Sequence, residues 1–173
     1  VSFEEGVRSG LIKPLGTEID SPYIEKLAGL SLVTSRDIRI VYTPLHGVGS
    51  TSIVPALKKL GYENLHVVAA QNIADGNFPT VANGVANPED PNTLTRAIAD
   101  AQQIGADLVI ASDPDADRLG CALPHPTKVW HAEPSELAIN GNQIGTLLAY
   151  YILSTRAKSG SLPPKGVVCK TIV

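Results

Sequence analysis

The chain has 173 residues, of which 43% are hydrophobic and 18% charged, and its formal net charge is −3. That supports one ordinary domain with a real core and something left over. No polybasic run and no apolar run of bilayer-spanning length occurs, so nucleic acid and membrane are not expected partners. In chain order, residues 1–20 show mixed patterning. Ser21-Pro22 reads as a helix start with proline in the first helical position, and Ile24, Leu27 and Ala28 continue that helix at helical spacing. Ile38 to Tyr42 reads as a strand. Thr43-Pro44-Leu45-His46-Gly47-Val48-Gly49 is then a loop. Ile53, Val54, Leu57 and Leu60 form one helical face, which Gly61 ends as a left-handed stop. Leu65 to Ala69 is a second strand.

A long loop rich in Asn, Asp, Gly and Pro spans about residues 71–91, a length usually reserved for function or mobility. Asn92 is placed to cap the next helix, with Leu94, Ala97, Ile98, Ala101 and Ile104 as its buried stripe. Asp107 to Ser112 is a third strand, apolar enough to be covered on both faces. Strand–helix–strand–helix–strand implies an α/β domain of three layers, α/β/α, with a mainly parallel sheet and right-handed crossovers. Pro124, Pro126 and Pro134 then break the pattern. A helix over about Asn142–Ser154 follows, its stripe of Ile144, Leu147, Leu148, Tyr151 and Ile152 reading as core, and then a strand over Gly166–Val173. The expected organisation is a lead-in segment over residues 1–20, a domain over 21–123, and over 124–173 a linker with an incomplete second α/β unit. With no methionine and a terminus inside a predicted strand, the chain reads as part of a longer polypeptide. No charged-then-apolar leader opens it. Cys121 and Cys169 fit no metal spacing and read as buried, reduced residues of a cytoplasmic protein.

The chemistry concentrates in Ser112-Asp113-Pro114-Asp115-Ala116-Asp117-Arg118-Leu119-Gly120. Three carboxylates alternate along a short loop at the carboxyl end of a parallel strand, the edge where open α/β sheets bind ligands. Carboxylates so close repel. A hard divalent cation removes the conflict by taking several oxygens at once, and Mg²⁺ keeps positions for water or phosphate. Arg118 either neutralises the acids or offers its fork to a phosphate oxygen. An EF-hand loop would need Gly at its sixth position and Glu at its twelfth. Arg118 and Pro124 stand there instead. A haloacid-dehalogenase-type phosphotransferase would use Asp113 as nucleophile, but normally has Thr or Val where Asp117 stands.

Asp-Pro-Asp-Ala-Asp-Arg resembles the metal loop of the α-D-phosphohexomutases, the phosphoglucomutase/phosphomannomutase family. Thr43–Gly49 resembles the strand-to-helix turn that opens their second domain. Asp75-Gly76-Asn77-Phe78-Pro79-Thr80, followed by Asn87-Pro88-Glu89, resembles their long loop, and Gly141-Asn142-Gln143-Ile144-Gly145 the helix start of their third domain. The resemblance covers nearly the whole chain from Tyr23. It implies a four-domain enzyme in which a phosphoserine exchanges phosphoryl groups with a hexose phosphate through a bisphosphate intermediate. It implies Mg²⁺ as cofactor with Asp113, Asp115 and Asp117 as ligands, Arg118 as the arginine reaching into the cleft, and a sugar phosphate, hexose or pentose, as the partner. The family's nucleophile motif Thr-Ala-Ser-His-Asn-Pro is absent from this sequence, so the chain alone is expected to be inactive. A reading of another class is a free-standing cation-binding module without chemistry.

Other features read as structural. Gly47-x-Gly49 lacks the third glycine of a dinucleotide fingerprint, since Ser52 stands there. His46 is expected to satisfy loop carbonyls, and His66 to be structural. His125, His131, Glu133 and Glu136 read as surface residues, and Phe78-Pro79 as packing the long loop against the aspartate loop.

Overall fold

The computed structural model describes residues 1–127, 129–130 and 133–169. One five-stranded sheet organises it, in the order β2-β1-β3-β4-β5. Its strands are β1 (Ile40–Thr43), β2 (Leu65–Val67), β3 (Leu108–Ser112), β4 (Leu119–Ala122) and β5 (Ala138–Ile139). β1 pairs in parallel with β2 and β3, β4 runs antiparallel to β3, and β5 antiparallel to β4. Four strands therefore point the same way, and the expected α/β fold with a mainly parallel sheet is present. β4 was not expected. Leu-Gly-Cys-Ala has no β-branched residue and so carries almost no strand signal of its own.

Side-chain alternation assigns the two faces. Val41, Val109, Ala111 and Ala122 share one face and are fully buried. They pack in one cluster with Leu94, Ala97, Ile98 and Ala101, the last three from helix α4 (Thr95–Ile104). Tyr42 and Ser112 point to the other face, their hydroxyls 2.7 Å apart, where helix α3 (Gly49–Lys59) begins. Gly61 and Gly105 both adopt positive φ beyond the ends of these helices, 87° and 63°, as the sequence anticipates. The cap before α4 is displaced. Asp90, not Asn92, accepts the capping bond, from the Asn92 amide, and a 3₁₀ turn over Pro91–Leu94 precedes the helix. Ile104, at the last turn, is exposed and leaves the stripe one residue short.

Residues 1–20 hold a short helix α1 (Phe3–Arg8) with a Ser2/Glu5 capping box. Helix α2 (Thr17–Ala28) starts earlier than the Ser21-Pro22 signal and carries Pro22 inside it. It lies along α3, with an ion pair between Glu25 and Lys59.

The core does not end at residue 123. Trp130 is 5% exposed and Leu137 4%, and both belong to the cluster under α4. The Trp130 Nε1–H donates to the Ala106 carbonyl at 3.0 Å. A short helix α5 (Pro134–Leu137) then delivers β5 to the sheet. The prolines that break helical periodicity leave an extended return path open, so the unit that folds around this sheet extends to Ile139.

Helix α6 (Gly141–Lys158) is capped reciprocally by Asn140 and Gln143. Its apolar stripe is not core: no residue of α6 is buried, and Leu147 is 57% exposed. A periodic stripe predicts a face, not the partner that covers it. Residues 166–169 of the strand expected over 166–173 are not in a strand, and the remainder lies outside the described residues. No described helix is long and apolar enough to cross a membrane.

The two cysteines differ, contrary to the expectation that both are buried. Neither is in a disulfide; Cys169 is exposed, whereas Cys121 is half-buried in β4. Burial pushes the Cys121 thiol up to about 11, so little of it is thiolate near neutrality. Iodoacetamide at pH 8 is therefore expected to label Cys169 first, and Cys121 only on unfolding. Equal labelling rates of the native chain, read by mass spectrometry, would contradict this.

Candidate metal centre

β1 and β3 lie side by side and parallel, with Thr43 opposite Ala111. The loops leaving their carboxyl ends are therefore neighbours. The β3 loop carries Asp113, Asp115 and Asp117. One carboxylate oxygen from each lies within 4.8 Å of the others, with Asp113 buried and the other two exposed. Among the described residues no other group of His, Cys, Asp and Glu converges this way.

The loop's local chemistry explains the convergence. Ala116 takes a left-handed conformation, φ 62°, and its N–H donates to the Asp113 carbonyl at 3.0 Å. This tight turn folds Asp115 and Asp117 back over Asp113. Asp113, 4% exposed, accepts the Arg118 backbone N–H at 2.9 Å on Oδ1. The Arg118 Nε lies 3.4 Å from Asp113 Oδ2 and 3.8 Å from Asp117 Oδ1.

These contacts separate the acids electrostatically. Burial alone would raise the Asp113 carboxyl. The Arg118 N–H, hydrogen-bonding contact with Asp115 and Asp117, and the Arg118 guanidinium outweigh it and hold the group below the ordinary carboxylate range. Asp117 moves the opposite way, raised chiefly by the charges of Asp115 and Asp113. As pH falls, Asp117 therefore takes up a proton before Asp113 does.

The donor set fits a hard divalent cation. Metal–oxygen distances of about 2.0–2.6 Å place ligands on opposite sides of one ion about 4–5 Å apart. Oxygens spread over no more than 4.8 Å meet the wider figure directly and the narrower, magnesium-like one after a small closure. All three donors are carboxylates, the type Mg²⁺, Mn²⁺ and Ca²⁺ prefer.

The long loop borders this site. Phe78, Ala86 and Asn87 line a groove with Asp113, Pro114, Asp115 and Arg118. Phe78 also packs on the core cluster. Gly120 lets the loop close in, because a Cβ there would lie 2.2 Å from the Pro88 carbonyl oxygen. His46 ties the same loop down: its Nδ1 meets the Ile73 carbonyl and its Nε2 the Thr80 hydroxyl, each at 2.9 Å. A carbonyl only accepts, so Nδ1 carries the proton, and in the neutral ring Nε2 accepts from Thr80. The ring thus serves loop groups, as the sequence reading held.

The remaining candidates lie elsewhere. His125 contacts the Thr127 hydroxyl, His66 pairs with Asp100, and among the described residues neither of these nor Glu133 or Glu136 joins a metal-spaced group. His131 lies outside the described residues.

A family model for phosphoglucomutase/phosphomannomutase, α/β/α domain II, matches residues 21–126. The chain belongs to the phosphoglucomutase/phosphomannomutase family. It is 39% identical to a probable phosphomannomutase of Haemophilus influenzae over 149 residues, covering 86% of this chain and 29% of that protein. It is 35% identical to a phosphoglucomutase of Staphylococcus saprophyticus over 147 residues, covering 84% of this chain and 25% of that one. A solved phosphoglucomutase/phosphomannomutase family protein from Burkholderia thailandensis superposes with a TM-score of 0.56 at 25% identity, over 79% of this chain and 26% of its own. The chain thus spans under a third of the length of these mutase-family relatives. What the sequence reading did not single out is the contact between the Thr43–Gly49 turn and the aspartate loop. Its only sequence trace is the glycine pair, which does not say what the glycines approach.

Proposed function

We propose that this chain is the cation-holding part of a cytoplasmic phosphohexomutase that interconverts sugar 1- and 6-phosphates. The observation that carries this is the convergence of Asp113, Asp115 and Asp117 at the carboxyl edge of the sheet in a chain of this family. Mg²⁺ bound there supplies positive charge beside a phosphoryl group in transfer, the electrostatic stabilisation such reactions require. Asp113 anchors the set: it is ionised, buried and fixed by the Arg118 backbone. Asp115 and Asp117, both exposed, face the side from which phosphate arrives. Among the described residues the Arg118 guanidinium is held by two long ion pairs, and its side chain is 57% exposed, so its fork is free to turn toward a phosphoryl oxygen.

The serine that carries the phosphoryl group in such an enzyme lies outside these 173 residues, and so do the loops that would choose the sugar. This chain is therefore proposed to be inactive alone. The haloacid-dehalogenase alternative is disfavoured by the same contacts. The Asp113 carboxylate is buried and accepts the Arg118 backbone N–H on Oδ1, so it is poorly placed as a nucleophile.

The test is the full-length enzyme containing this chain, assayed with glucose 1-phosphate and mannose 1-phosphate. Asp115→Ala is expected to lower kcat by roughly 100-fold or more, the usual scale for losing an electrostatic partner of the transition state. Undiminished turnover by the variant, or turnover by the isolated chain, would reject the proposal.

A further inference from the structure

The turn that leaves β1 grips the aspartate loop on both sides of Asp113. On the near side, a Cβ on Gly49 would lie 1.9 Å from Tyr42 Oη and 2.7 Å from Oγ of Ser112, the residue before Asp113. On the far side, a Cβ on Gly47 would lie 2.2 Å from Pro114 Cα and 2.4 Å from its carbonyl oxygen. That is backbone against backbone, with no flexible side chain to yield. Between the two glycines, the Val48 N–H donates to the Pro114 carbonyl at 2.8 Å.

The turn is itself held in a costly shape. Leu45 and His46 both have positive φ, 45° and 65°, a conformation worth about 1–2 kcal/mol per non-glycine residue. Such strain survives only where the surroundings over-determine it. Here the Thr43 hydroxyl accepts the Leu45 N–H at 3.1 Å and donates to Gln71 Oε1 at 2.7 Å. The His46 N–H donates to the Gln71 carbonyl at 2.9 Å. Gln71 is fully buried, and its Nε2 has no partner among the described residues. Plain packing of a strand-to-helix turn needs neither the strain nor a half-satisfied buried amide.

Building on the cation-site reading above, we propose that Gly47, Gly49 and the Val48 amide are positioning residues, which set the separation of the Asp113 and Asp115 carboxylates for a divalent cation. They touch no ligand. They act through Ser112 and Pro114, as outer-shell partners of metal ligands do.

The test titrates Mn²⁺ into the 173-residue chain, reading free Mn²⁺ by electron paramagnetic resonance, with a melting curve for every variant. Val48→Pro removes the one N–H at an exposed residue whose φ of −78° suits proline. Gly47→Ala adds the Cβ. Both are expected to weaken Mn²⁺ binding by roughly 10- to 100-fold. Ile98→Val, a core truncation under the sheet away from the loop, is the control for general destabilisation and should keep wild-type affinity. Should Gly47→Ala fail to fold, Val48→Pro decides alone. Wild-type affinity in folded Val48→Pro, or equal loss in Ile98→Val, overturns the positioning role while leaving the cation site standing. A wild-type chain that binds no Mn²⁺, and so matches Asp115→Asn, rejects the cation site itself and this role with it.

Discussion

Trp130→Ala is expected to cost this chain about 3–5 kcal/mol of folding stability, the range for removing a large buried aromatic. Trp130 is 5% exposed in a cluster with Leu94, Ala97, Val109 and Leu137. Its Nε1–H is bonded to the Ala106 carbonyl, so the variant also leaves that buried acceptor unpaired. With total stabilities typically about 5–15 kcal/mol, such a loss removes roughly a fifth or more of the whole. Urea unfolding followed by circular dichroism measures it. A loss under about 1 kcal/mol would mean that residues 124–139 do not belong to the core that supports β3 and its loop.

Asp115→Asn is expected to have opposite effects without and with a divalent cation. Without one, the substitution removes a charge that repels Asp113 and Asp117, so the variant should be at least as stable as wild type. The pH dependence has a matching sign. Asp117 is raised in the fold by its neighbours, so its ionisation works against folding, and that penalty fades as pH falls through its native value. Asp113 is lowered; its contribution is present above the unfolded-state value and is lost as pH falls through the native one. The effect at Asp117 is muted by solvent, because its side chain is 73% exposed. With cation present the order reverses. Ligand at about 100 times its dissociation constant stabilises the native state by roughly 2.7 kcal/mol, and the variant forfeits this.

Much of this was legible in the sequence because local signals and tertiary need coincide. Gly61 and Gly105 end helices where only a left-handed residue fits. Asp113, Asp115 and Asp117 alternate after an apolar strand, and few arrangements bring three acids together there without a counter-charge. What was not legible is whatever depends on partners distant in sequence. β4 forms because β3 offers an edge to Leu119–Ala122, not because Gly120 and Cys121 favour a strand. Trp130 and Leu137 look like part of a proline-broken linker until the gap beneath α4 is seen. The α6 stripe erred the other way: Ile144, Leu147 and Tyr151 repeat correctly, yet periodicity carries no information on what covers them. The grip of Gly47 on Pro114 spans two loops from different strands, and no local pattern encodes such a contact.

The most direct test of the cation site is thermal melting of wild type and Asp115→Asn, each metal-free and with Mg²⁺ raised until the wild-type response saturates. A rise of roughly 5–10 °C is predicted for wild type, from the linkage above and about 2–4 °C per kcal/mol for a chain of this size, with no rise for Asp115→Asn. Equal shifts in both proteins, or none in wild type, would mean that acids 113, 115 and 117 converge for some other reason.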